Sequence, residues 1–428
     1  MKYLKYKDPK SDFSPLFSRT AFPEDIEKNV SAILSEIKQD GDLAIIKYAA
    51  QFDSLQLTPE TFRVTQEEID NSVNLIDSDI RDAIHLAHSN ILDFSRQCIP
   101  QKWTYSPRPG VTLGEKFTPM QRIACYIPGG TAPLVSTVLH TATMAQAAGV
   151  KEIVITTKGS EDGTVNPAIL YAAKVAGATE VYKMGGVYAI GALAYGTKTI
   201  KKVEKIVGPG NAYVTAAKKQ VYGYAALDLV AGPSEVMVIA DKTAPASFIA
   251  ADLLSQAEHG SGYEQAVLVS DCPQLLKDVE QEIYTQKESL SRSECIDKVI
   301  DSGIYLIQVD NMTEAAEVAT SYGAEHLEIM TENPENVAEN VHSAGAIFLG
   351  PWSPEPLGDF VAGPSHVLPT GGSAHYFNGL TVGQFFRRTS LIKYDKEALA
   401  KEVGAMSAIA KAEGLDAHGR SGTIRFEQ

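Results

Sequence analysis

The chain has 428 residues, 44% of them hydrophobic and 21% charged, with a formal net charge of −15, enough apolar material for the cores of two or more domains. The acidic balance, with no segment that concentrates Lys and Arg, argues against nucleic acid as a partner. Four scattered cysteines, Cys98, Cys125, Cys272 and Cys295, form no CxxC pair and read as reduced, packed thiols rather than a thiolate metal site or a disulfide framework. The stretch Met1 to Pro9 lacks the apolar core of a signal peptide and no run reaches the length of a membrane span, so a cytoplasmic protein without a membrane partner is expected.

In chain order, the region from Pro23 to Ser95 is helical in pattern. Ile26, Val30, Ile33, Leu34 and Ile37 recur at helical spacing until Asp40-Gly41, and a second long helix runs from Thr65 through Ile69, Val73, Ile80, Ile84 and Ile91. His85 and His88 on that helix are read as part of a solvated face. At Arg122 the texture changes to alternating strands and helices, with strands at 123–127, 152–156, 180–182 and 205–207. This βαβ pattern predicts a parallel sheet covered by helices, with its strand-to-helix loops at one edge. Pro128-Gly129-Gly130, Gly185-Gly186 and Gly208-Pro209-Gly210-Asn211 fall in those loops, where backbone N–H groups and helix dipoles favour a dinucleotide phosphate. From Val236 to Leu349 the alternation continues as a second α/β unit. Pro351 to Gly372 reads as loop, and a last helix spans about Lys396 to Ala412.

Chemistry concentrates late in the chain. Gln256 and His259 are three apart at a helix end and share one face. His326 follows Glu325, His366 follows Asp359 in a glycine and proline loop, and His418 follows Glu413. Oxygen and imidazole donors without thiolate suit Zn²⁺ in an open site. Spacing alone leaves a Gln256, His259, Asp359 and His418 site open, because the residues come from three distant segments.

The blocks Cys125-Tyr126-Ile127-Pro128-Gly129-Gly130-Thr131-Ala132-Pro133-Leu134, Gly208-Pro209-Gly210-Asn211-Ala212-Tyr213-Val214, Ala231-Gly232-Pro233-Ser234-Glu235-Val236 and Ser255-Gln256-Ala257-Glu258-His259-Gly260 closely resemble the signature blocks of histidinol dehydrogenases. So do Gly323-Ala324-Glu325-His326-Leu327, Gly363-Pro364-Ser365-His366-Val367-Leu368-Pro369-Thr370 and Ala412-Glu413-Gly414-Leu415-Asp416-Ala417-His418. The resemblance implies a cytoplasmic, homodimeric enzyme of histidine biosynthesis. Such an enzyme holds one Zn²⁺ per subunit and oxidises L-histidinol through the aldehyde to L-histidine with two NAD⁺. It also implies an α/β fold of two Rossmann-like parallel-sheet domains, aldehyde-dehydrogenase-like in architecture. The expected layout is a helical N-terminal arm (1–25), a discontinuous substrate and zinc domain (26–122 and 235–380), an NAD-binding domain (123–234) and a C-terminal tail on the partner subunit (381–428).

Carried over by position, Gln256, His259, Asp359 and His418 match the zinc ligands, with His418 expected to reach the partner subunit's site. Glu325 and His326 match the general acid/base pair; Ser234, His326 and Glu413, with the four zinc ligands, match the substrate contacts. Tyr126 and Asn211 match NAD contacts, and His366 is expected to line the site. Tyr188 stands where many members have Gln at a position associated with NAD, and is expected to stack on or hydrogen-bond the cofactor. Ser365 replaces an Asn. An imidazole titrating near neutrality, His326, would take the alcohol proton, and Glu325 would act on the water that hydrates the aldehyde. Two other readings remain: a related dehydrogenase of another small alcohol such as a sulfonated propanediol, and a noncatalytic zinc-binding protein on the same fold.

Overall fold

Arg122–Ile127 and Glu235–Ala240 are buried along their whole lengths, which only the middle of a sheet covered on both faces provides. The structure, a computed structural model, describes residues 1–19, 24–129, 133–230 and 232–427. Gly130, Thr131, Ala132 and Ala231 of the blocks above lie outside the described residues. Each of the two buried strands sits inside an all-parallel sheet. The five-stranded sheet runs Glu180–Lys183, Glu152–Thr157, Arg122–Ile127, Lys205–Val207, Ala226–Leu227. The six-stranded sheet runs Lys2–Lys5, Ile304–Gln308, Gln265–Ser270, Glu235–Ala240, His326–Met330, Ala346–Leu349. Leaving aside the edge strand Lys2–Lys5, the orders are identical: the first strand of each unit lies in the middle and the chain direction of travel reverses beside it. Three antiparallel strands, Phe386–Tyr394, Val111–Pro119 and Trp103–Tyr105, form a third sheet. The α/β expectation with two parallel sheets therefore holds.

Three expectations change. The segment 1–25 is no helical arm: Lys2–Lys5 pairs in parallel with Ile304–Gln308, and a single turn, Ser14–Phe17, buries Leu16 under the six-stranded sheet. The helices Glu24–Asp40 and Asp42–Asp53 do not join the 235–380 unit. Val30, Leu34, Ile37 and Ile45 share a core with Ala124, Tyr126 and Ile190 of the five-stranded unit. Gly191 makes this possible, since a Cβ there would meet Leu34 at 3.0 Å and Ile37 at 3.2 Å. The long helix expected from Thr65 is two. Thr65 caps Gln66–Asn71 in a reciprocal capping box with Glu68, the chain turns through Ser72–Asn74, and Ser78–Gln97 starts afresh after Asp77. Asn71, Ser72, Asn74 and Asp77 offer side-chain hydrogen bonds that compete with helix, which ends the first segment.

Some elements had no counterpart in the sequence reading. They are the antiparallel sheet, the helix Ser293–Val299, and Glu355–Phe360 inside the stretch read as loop. The tail helix is found at Lys396–Ala412, capped by Asp395, whose side chain accepts from the Ala398 N–H at 2.8 Å.

Candidate active site

Glu235 and His326 are the first residues of adjacent strands, with His326 paired to Val236. Glu325 and His326, which match the family's acid/base pair by position, therefore sit at the amino-terminal edge of the six-stranded sheet, opposite to the edge where open parallel sheets usually bind ligands. One residue's backbone holds both members. The Glu235 N–H donates to Glu325 Oε2 at 2.9 Å, and the Glu235 carbonyl oxygen lies 3.1 Å from His326 Nδ1. A carbonyl only accepts, so Nδ1 carries the proton and Nε2 is left facing Asp359 Oδ1 at 3.4 Å and Glu355 Oε1 at 3.5 Å. Glu325 and His326 are both buried.

That burial governs their protonation. Desolvation pushes the Glu325 carboxyl up to about 8, with the neighbouring His326 opposing. Burial alone would push the His326 imidazole down, but the carboxylates of Glu325, Asp359 and Glu355 outweigh it and raise it to about 10. The direction is upward, away from the near-neutral imidazole expected of the sequence. Asp359 goes the other way: burial would raise it, and His326 with His366 holds it below the usual carboxylate range.

Gln256 ends the helix Ala246–Ala257, fully buried, with Nε2 3.2 Å from His259 Nδ1. Burial lowers the His259 imidazole and the nearby Asp359 charge pulls it back. Gln256 Oε1, His326 Nε2 and Glu355 Oε1 are buried without a hydrogen-bond partner. Each such orphan costs about 1–3 kcal/mol, and two of them, His326 Nε2 and Glu355 Oε1, face each other at 3.5 Å, open to a ligand that would supply a partner. The carboxylate and imidazole atoms of His326, Glu355 and Asp359 lie within 4.8 Å of one another, as a metal site requires. Glu355 was missed in the sequence. Its signal was the four-residue spacing to Asp359, which puts both on one face of Glu355–Phe360, but that stretch had been read as loop.

His366 lines a cavity of about 310 Å³ together with His326 and Asp359. Its ring stacks on His140, centroids 4.6 Å apart and 20° between planes. Burial lowers both imidazoles, His140 to about 3. His85 and His88 bond across to neighbouring helices, His85 Nε2 to the Tyr171 hydroxyl at 2.9 Å and His88 Nε2 to Gln146 at 2.8 Å.

Tyr126, Tyr188 and Asn211 come together around a second cavity of about 740 Å³ at the carboxyl edge of the five-stranded sheet. It opens beside Arg122–Ile127, where the strand order reverses. Lys47, Asp53 and Lys158 share its lining. Two of its backbone donors are already spoken for. The Gly186 N–H donates to the Tyr126 hydroxyl at 3.1 Å and the Gly185 N–H to the Tyr188 hydroxyl at 3.2 Å. Tyr188 in turn donates to Asp53, which also pairs with Lys158 at 3.2 Å. The Gly185-Gly186 turn thus differs from the phosphate cradle expected of it, and the Tyr188 hydroxyl serves the turn. Asn211 Oδ1 caps Ala212–Val221 by accepting from the Val214 N–H at 3.1 Å.

Ser234 precedes Glu235, its carbonyl accepting from Gln265 at 3.2 Å. Glu413 and His418 are exposed on the tail. Among the described residues, neither side chain makes a hydrogen bond or ion pair with the Gln256 to Asp359 group within the chain.

The chain is similar to known proteins in sequence and in fold. A relative from Oceanobacillus iheyensis named histidinol dehydrogenase is 42% identical over 410 residues, covering 96% of this chain and 95% of its own. A solved histidinol dehydrogenase structure from Elizabethkingia anophelis superposes with a TM-score of 0.94 at 37% identity, covering 100% of this chain and 98% of that one. An acetylating aldehyde dehydrogenase from Geobacillus thermoglucosidasius, 16% identical with a TM-score of 0.50 over 87% of this chain and 97% of its own, shares the fold alone. The profile of the histidinol dehydrogenase family matches residues 18–426, and the chain belongs to that family of oxidoreductases.

Proposed function

We propose that the protein oxidises L-histidinol to L-histidine through L-histidinaldehyde, a four-electron oxidation that consumes two NAD⁺ and depends on zinc. The observation that carries this reading is the buried Glu325–His326 pair, fixed by the two backbone groups of Glu235, beside orphaned oxygen and nitrogen donors. The donor set, an amide oxygen, imidazoles and carboxylates without thiolate, fits Zn²⁺ in a substrate-accessible site. Gln256, His259 and Asp359 would hold the ion, completed by His418 of a second copy. Zinc there would act as a Lewis acid and as a template for the substrate's amine and imidazole.

The remaining work falls to the chain's own groups. His326, with Nδ1 locked on the Glu235 carbonyl, presents Nε2 to take the alcohol proton. A cation held beside Asp359 would offset its charge and weaken the carboxylate pull on His326, leaving Nε2 a better base. Glu325, raised by burial, accepts a proton from the water that adds to the aldehyde. Substrate selection rests on Ser234, His326 and, from the second copy, Glu413, which would meet the substrate's cationic groups. NAD⁺ would lie in the cavity lined by Tyr126, Tyr188 and Asn211. We place the protein in the cytoplasm as a homodimer. Exposed Ile392 and Ile409 on the tail, 75% and 61% accessible, give a second copy apolar surface to cover.

Chelation tests the metal. Removing bound zinc should abolish NADH formation from L-histidinol, and stoichiometric Zn²⁺, followed by metal analysis, should restore it. Full turnover by metal-free protein contradicts the reading.

A further inference from the structure

Glu235 holds the acid/base pair with its backbone, and its own side chain is held by a residue from the start of the chain. Arg19 Nη1 lies 3.2 Å from Glu235 Oε2, with the two side chains only 9% and 4% exposed. Arg19 Nη2 donates to the Tyr322 carbonyl at 2.7 Å, and the guanidinium lies 3.5 Å over the centre of the Tyr322 ring. The other Glu235 oxygen accepts the Gly371 N–H at 3.0 Å. Among the described residues, Arg19 is the one cation within ion-pair distance of this carboxylate. Its own origin is anchored by strand Lys2–Lys5 in the sheet and by Leu16 in the core beneath it.

We propose that Arg19 is a positioning residue for the reaction: by neutralising and fixing Glu235 it sets the two backbone groups that orient Glu325 and His326. The inference rests on the oxidation proposed above. Breaking a buried pair leaves an uncompensated charge. The Glu235 carboxyl, pushed up to about 7 by burial against the pull of Arg19 and the Gly371 N–H, would be neutralised or would swing away, and the start of its strand would shift. A displacement of about 1 Å at a catalytic group costs about a hundredfold in rate.

The test uses the zinc-loaded full chain and measures kcat, KM for L-histidinol and NAD⁺, zinc content and melting temperature. Arg19→Met should lower kcat by about a hundredfold with zinc content and KM for NAD⁺ unchanged, and Arg19→Lys should recover part of that loss. In a double-mutant cycle with Glu235→Gln, adding Arg19→Met should cost less than about twofold more, because the two act as one unit. If Arg19→Met does not fold, Arg19→Gln, which keeps a donor for the Tyr322 carbonyl, enters the same cycle with the same expectation. A folded Arg19 variant with kcat within about twofold of the unsubstituted enzyme, or losses that multiply in the double variant, would overturn the inference. An unsubstituted enzyme without activity on L-histidinol would instead refute the proposed reaction.

Discussion

At the scale of single residues, the proposed division of labour between Glu325 and His326 rests on what holds them. His326 has its tautomer set by a carbonyl, whereas Glu325 is a carboxyl raised to about 8 with one oxygen on a backbone N–H. Alcohol oxidation needs one base; aldehyde oxidation needs a second, acting on water. Glu325→Gln should therefore slow oxidation of L-histidinaldehyde by about a hundredfold or more, the usual worth of general base catalysis, and oxidation of L-histidinol to the aldehyde much less. Equal losses in separate assays of the two half-reactions would contradict it. Gln256 and His259 were legible in the sequence because a three-residue spacing at a helix end is local. Glu235 and Arg19 were not: their roles arise from strand register and from a contact spanning 216 positions, which no local pattern records.

Among elements, the glycine loops were the plainest sequence signal, yet each has its own physical reason. Gly208 adopts φ +114, and a Cβ there would lie 2.2 Å from the Tyr126 carbonyl oxygen. Its N–H donates to Asp228 at 2.6 Å and its carbonyl accepts from Lys218 at 2.7 Å, so the turn cannot relax away. Gly208→Ala should cost about 1–3 kcal/mol, push on Tyr126 and weaken dinucleotide binding. Thermal unfolding and a fluorescence titration with NAD⁺ would show both, and unchanged melting with unchanged affinity would contradict the assignment. Gly185-Gly186 carried the same signal for a different reason, its amides being taken by Tyr126 and Tyr188. The α/β alternation was readable because buried parallel strands are continuous apolar runs. The antiparallel strands were not, because Phe386–Tyr394 is mostly exposed and breaks that pattern.

Over the whole molecule, the two parallel units share one strand order but use opposite edges: the cavity lined by Tyr126, Tyr188 and Asn211 lies at a carboxyl edge, Glu325 and His326 at an amino edge. The core helix Val135–Ala148 links them, carrying His140 from one unit onto His366 of the other. Sequence comparison within the chain could not show this kinship, since shared strand order survives without shared residues. Glu413 and His418 stand apart from the rest of the site within one chain, which the proposed homodimer would explain. Mixing His326→Ala and His418→Ala proteins, each inactive alone, should regenerate activity, because one of the two sites in a mixed dimer then has both residues intact. No recovery after subunit exchange would place His418 outside the partner's site.

The reaction itself is open to a direct count. Zinc-loaded protein supplied with limiting L-histidinol and excess NAD⁺ should form two NADH for each L-histidine produced, with both followed in the same reaction. One NADH with accumulating aldehyde, or none, would contradict the account.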